Sequence, residues 1–211
     1  MGIVHRGASI TPTKQELVEA WLPSRPWAGG RLIAEKVAEY RLDDPAGEVG
    51  VETIVWRTDD GVLLQVPLTY RSAPLPDAAE HLVTTMEHSV LGTRWVYDGC
   101  GDPVWADTLV RTVLTGGRQT PMFFEKDGER VDIPSRMEVR GSGDAADTPQ
   151  IDRIEALRDE GATTVVDAGG HHVVLARVLG TPLGEGPHLA GAIGDDPEPH
   201  VLAVLRVGWP A

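Results

Sequence analysis

The stretch GVETIVWRTDDGVLLQVPLTY, residues 50–70, decides how the rest of the chain is read. Its centre, Asp59-Asp60-Gly61, is a short hairpin signal, since Asp and Gly accept the backbone of a tight antiparallel turn. After the turn, Val62, Leu64, Val66, Leu68 and Tyr70 recur at every second position, the period of a strand with one buried face. Before it, residues 48–57 read as the partner strand, and residues 32–42 as a further long one. Residues 31–71 therefore form an antiparallel meander. Pro67 cannot donate to a ladder, which predicts an edge position or a bulge there.

Working outward, Thr13 and Glu16 have capping-box spacing, and Leu17, Val18, Trp21 and Leu22 supply the apolar stripe of a first helix. Pro23 and Pro26 end it. On the far side, a Pro- and Ala-rich loop at 72–79 leads to strands at about 80–89 and 92–97. Asp102 as N-cap and Pro103 as first helical residue then open a second helix carrying Val104, Trp105, Leu109, Val113 and Leu114, which Gly116-Gly117 closes. Strand-like stretches follow near 119–126 and 129–140. Residues 151–158 fit strand or helix, a hairpin is centred on Ala168-Gly169-Gly170, and a second joins 189–194 to 201–207 across Asp195-Asp196-Pro197. The class is α+β. The expected organisation is an α+β domain over 1–140, a linker-like segment at 141–150 and a β-rich extension at 151–211 packed on the first domain.

Composition narrows the function. Of 211 residues, 32 are acidic and 19 basic, giving a formal charge of −13. Such a surface repels phosphate backbones and anionic lipid heads, so nucleic acid and membrane are not expected partners. No apolar run approaches the roughly 18 residues of a membrane span, and no signal peptide is visible, so the cytoplasm is the expected location. Cys100 is the single cysteine and has no internal disulfide partner.

The tests for chemistry mostly return negatives. There is no Gly-Lys dipeptide for a phosphate loop, and Gly184-Glu185-Gly186 lacks the third glycine of a dinucleotide fingerprint. A kinase catalytic loop needs an Asp two residues after a His and an Asn for the second metal. No histidine here has that neighbour, and the chain contains no Asn. Adjacent His171 and His172 point to opposite faces of a strand, so no metal site and no cofactor are expected. Cys100, in the loop Tyr97-Asp98-Gly99-Cys100-Gly101-Asp102, precedes a helix N-terminus that would favour thiolate, but two carboxylates oppose it. A catalytic use of this loop is the least favoured reading. Core packing accounts for most tryptophans, whereas Trp27, flanked by Pro26 and Gly29-Gly30, is the one expected to be partly exposed. The ligand-binding candidates are therefore Trp27, Tyr97, Asp98 and Cys100.

The segment Trp21-Leu22-Pro23-Ser24-Arg25-Pro26-Trp27-Ala28-Gly29 resembles the opening of the N-terminal cap of actinobacterial maltokinases. The similarity continues through residues 50–70, ending in Val66-Pro67-Leu68-Thr69-Tyr70, and resumes at Tyr97-Asp98 and Asp102-Pro103 with the helix through Leu114. It covers about residues 13–117. Pro26 interrupts the family's Arg-Trp pair, and Gly30 stands where a basic residue is usual. The resemblance implies a curved, cystatin-like antiparallel sheet with helices. It also implies a setting in trehalose, maltose and glycogen metabolism, with a maltokinase or trehalose synthase as expected partner. The ATP-binding and catalytic residues of that family lie in lobes beyond the cap, and none carries over. The length is read as a stand-alone cap-like protein that is not itself an enzyme. A sugar- or hydrophobic-ligand binder is the alternative.

Overall fold

The computed structural model describes residues 5, 7–194 and 198–207. The fold is β-rich, with two six-stranded antiparallel sheets, two helices and a small hairpin among the described residues. The first sheet curls as a half-barrel. It is built from β1 (Ile10–Thr11), β2 (Ile33–Asp43), β3 (Gly50–Thr58), β4 (Leu63–Arg71), β5 (Leu82–His88) and β6 (Gly92–Asp98), in the order β1-β5-β6-β4-β3-β2. The hairpin in residues 50–70 is β3–β4, in unbroken register from Gly50 opposite Tyr70 to Arg57 opposite Leu63.

Strand alternation assigns the two faces. Ile54 and Trp56 of β3, with Leu64, Val66 and Leu68 of β4, pack under the first helix, α1 (Lys14–Trp21), through Leu17, Val18 and the following Leu22, Trp27 and Ala28. The capping box forms as expected: Thr13 Oγ1 accepts from the Glu16 amide, and the Glu16 carboxylate accepts from the Thr13 amide at 2.7 Å. Val51 and Val55 point the other way, with Tyr40 and Leu42 of β2, onto the second helix, α2 (Pro103–Thr115). Asp102 caps α2 by accepting from the Val104 amide, Pro103 is its first residue, and Gly116 ends it at φ 67°.

After α2 come the hairpin β7 (Phe123–Lys126) and β8 (Glu129–Asp132), then β9 (Met137–Gly141), β10 (Ala156–Glu160), β11 (Thr163–Ala168), β12 (His171–Ala176), β13 (His188–Ile193) and β14 (His200–Val207). The second sheet runs β10-β11-β12-β14-β13-β9. The stretch at 151–158 that fitted strand or helix contributes to β10, and the hairpin centred on Gly169-Gly170 is β11–β12. β13 and β14 pair as expected, while their turn residues Asp195, Asp196 and Pro197 lie outside the described residues. Val139, Val173, Leu175, Leu189 and Leu202 share one buried cluster with α2 and with Val51 and Val55, so the second sheet closes over α2 onto the first.

Pro67 is neither at a sheet edge nor at a bulge. The Gln65 amide points away from β3 and donates to the Arg177 carbonyl at 2.8 Å. Two residues on, the Pro67 nitrogen faces the same way. Pairing with β6 begins only at Leu68 opposite Asp98. The missing donor therefore falls between one neighbour and the next.

The glycines at 141 and 143, within the segment with linker-like composition, serve close approach. The amides of Gly143 and Ala145 donate to the Val113 and Leu114 carbonyls at 2.9 and 2.8 Å, satisfying the free end of α2. A side chain on Gly141 would run into the Thr112 carbonyl. Gly141→Ala is accordingly expected to lower stability by about 2–3 kcal/mol, read by urea unfolding.

Candidate functional site

The four residues singled out in the sequence are all buried. Trp27 is 3% exposed, which corrects the expectation of partial exposure: the 3₁₀ turn Pro26–Ala28 tucks the indole beneath α1 and against the edge of Trp21, with ring centroids 5.7 Å apart. Its other neighbour lies about 150 residues along the chain. The Arg177 guanidinium sits 4.7 Å from the Trp27 ring centroid, donates to Asp98 Oδ2 at 2.6 Å and to Thr164 Oγ1 at 2.7 Å, and is wholly buried. Asp98 Oδ1 also accepts from the Cys100 amide. Tyr97, on the opposite face of β6, accepts at its phenolic oxygen from the Leu75 amide at 2.9 Å. Trp27, Asp98 and Cys100 thus surround one internal cation that ties the first sheet to the second, whereas Tyr97 faces away from it.

Cys100 has no access to solvent. Burial pushes its thiol up, and Asp98 adds to that against the opposing pull of Arg177, so the sulfur stays protonated at neutral pH. His171 and His172 start β12; His172 Nδ1 pairs with Asp167 Oδ1. No group of three or more His, Cys, Asp or Glu positioned for a metal occurs among the described residues.

An open site lies elsewhere. α1 covers the apolar part of the sheet face that carries Ile54 and Trp56, and the polar end of that face remains a cleft of about 580 Å³. Glu52 sits there, on the same face as Ile54 and Trp56, and is only 2% exposed. Lys14, the first residue of α1, donates to it at 2.7 Å, and the Tyr70 hydroxyl donates at 2.9 Å. Burial alone raises the Glu52 carboxyl, but the charges of Lys14 and Arg41 with these two hydrogen bonds overcome it and hold it at about 2. Tyr70 is raised well above the tyrosine range, first by burial and then by Glu52, so it stays a donor. Arg41 faces Glu52 in register across β2–β3, and Arg94 lies opposite Met86 across β5–β6; both line the cleft.

The sequence reading missed this cleft, although one signal for it exists. Residues 51–56 of β3 are buried on both faces, and Glu52 is the one ionisable side chain among them. A carboxylate inside such a strand requires a cation nearby.

The fold and these sites define a β-rich protein whose curled antiparallel sheet carries a helix on each face. Residues 21–102 match the maltokinase N-terminal cap domain, bearing out the resemblance over that segment. The matched segment runs from the last residue of α1 through β2–β6 to the N-cap of α2. No curated protein matches the chain.

Proposed function

We propose that the protein is a non-catalytic accessory module of trehalose, maltose or glycogen metabolism that docks on a maltokinase or a trehalose synthase in the cytoplasm. The observation that carries this reading is the match over residues 21–102, which takes in most of the half-barrel sheet. The cystatin-like description of that sheet belongs to the same reading. So does the division into a cap-like domain at 1–140 and an extension at 151–211, with β9 lent to the extension's sheet.

The apolar part of the sheet face under α1 is filled, which favours docking over enclosure of a sugar there. Trp27, Trp56 and Trp105 are buried and Trp21 and Trp95 half-buried, so none of them offers an open stacking platform. β4 from Leu64 to Thr69 is buried on both faces, which leaves the rim for a partner. The β5–β6 turn presents Val90 and Leu91, 59% and 44% exposed, and these two aliphatics are the proposed contact.

Incubation of the purified chain with ATP and maltose tests the non-catalytic part. Phosphoryl transfer no faster than in the protein-free control is expected. Turnover that scales with protein concentration would sink the reading.

A further inference from the structure

We infer that the cleft between β2 and β6 is a binding site for a small organic anion carrying two acidic groups, with Arg41 and Arg94 as its recognition residues. The cleft borders the proposed docking rim and shares Leu91 with it. The inference rests on how charge is distributed in this fold.

The chain has a large surplus of acids, and many of its arginines have found one: Arg31 with Asp60, Arg71 with Asp102, Arg111 with Asp107 and Arg177 with Asp98. In the cleft, Lys14 is committed to Glu52 and Lys36 to Glu39. The Arg41 and Arg94 guanidiniums, each half-buried, make no ion pair within 4 Å among the described residues: Arg41 only neighbours the Glu52 carboxylate that Lys14 already pairs, and the single hydrogen bond of the Arg94 side chain is to the Thr93 carbonyl. The other carboxylates of the cleft, Asp43 and Glu48, lie at the β2–β3 connection.

His88 belongs to the same cleft. Its Nδ1 accepts from the Val90 and Leu91 amides, which fixes the ring at the cleft wall. Burial lowers its pKa first, and the neighbouring His5, Arg94 and Lys14 lower it further. Lys14, Lys36, Arg41 and Arg94 equal the four carboxylates of the cleft in number, but Asp43 and Glu48 are exposed, so Arg41 and Arg94 are the cations left facing its half-buried part.

Geometry sets the class of ligand. Arg41 on β2 and Arg94 on β6 are separated by β3 and β4, so three strand spacings of about 4.8 Å lie between them along the sheet, shortened by its curl. Two guanidiniums reaching into one cleft from opposite sides suit two acidic groups on a short carbon frame, each taken by a planar fork. Ile10, Met86 and Leu91 supply the apolar wall for that frame, and about 580 Å³ is the size of a small-molecule site.

Isothermal titration with succinate and with fructose 1,6-bisphosphate tests the site and separates carboxylate from phosphate-ester recognition. At least one of them is expected to bind, and Arg41→Gln/Arg94→Gln is expected to weaken it tenfold or more; Arg94→Gln alone, which leaves the surroundings of Glu52 intact, is expected to weaken binding without shifting the unfolding midpoint. A second measurement needs no variant. Phenylglyoxal modification of the unaltered protein, mapped by mass spectrometry, is expected to be slowed at Arg41 and Arg94 by the bound anion and unchanged at exposed Arg153. Flat titrations with both compounds, or binding that protects neither arginine, would overturn the inference.

Discussion

Asp98→Ala is expected to cost about 3–5 kcal/mol of stability, the largest effect of any single substitution considered. The reason lies in Arg177. Its guanidinium is wholly buried between the two sheets, with Asp98 as its counter-ion and Trp27 and Thr164 as its other neighbours. Removing the carboxylate leaves a cation in the core, and its remaining contacts cannot replace the lost charge. Removing both charges is less damaging than removing one, so Asp98→Ala/Arg177→Met is expected to recover part of the loss. Urea unfolding of the three proteins checks this. A single variant within about 1 kcal/mol of the parent would show that the pair does not hold the sheets together.

The second large effect is an acid transition governed by Glu52. Its folded pKa of about 2 lies below the ordinary glutamate value of 4.5, so folding favours the ionised form. The resulting stabilisation, on the order of 3 kcal/mol, is fully present above about pH 4.5 and is lost as pH falls toward 2. Glu52→Gln is expected to remove most of it at pH 7 and to flatten this part of the pH profile. Lys14, one-third exposed, remains solvated in the variant and limits the damage. Thermal unfolding from pH 7 to pH 2.5 measures both curves, and parallel profiles would rule out this role for Glu52.

Local chemistry was legible where it was self-contained. The Asp-Gly turn at 59–61 with alternating apolar positions gave β3–β4, Thr13 with Glu16 gave the start of α1, and Asp102, Pro103 and Gly116 bounded α2. What escaped depended on distant partners. Trp27 is flanked by loop residues and reads as exposed, because the cation that covers one face of its ring is Arg177, contributed by the second sheet. The glycines at 141 and 143 read as linker because composition does not distinguish freedom from close contact with a helix end. The open cleft draws Lys14, Arg41, Glu52 and Arg94 from four separate elements with no common spacing. Pro67 shows the same limit, since the rule about edges concerns a missing neighbour, and here the neighbour is missing over one residue only.

The central claim is that the half-barrel sheet and its exposed β5–β6 rim form a docking module. Sedimentation velocity of the purified protein mixed with a maltokinase, and separately with a trehalose synthase, tests it most directly. A faster-sedimenting complex with one of them, abolished by Val90→Asp/Leu91→Asp, is the expected result. Independent sedimentation in both mixtures, or a complex indifferent to that double substitution, would contradict it.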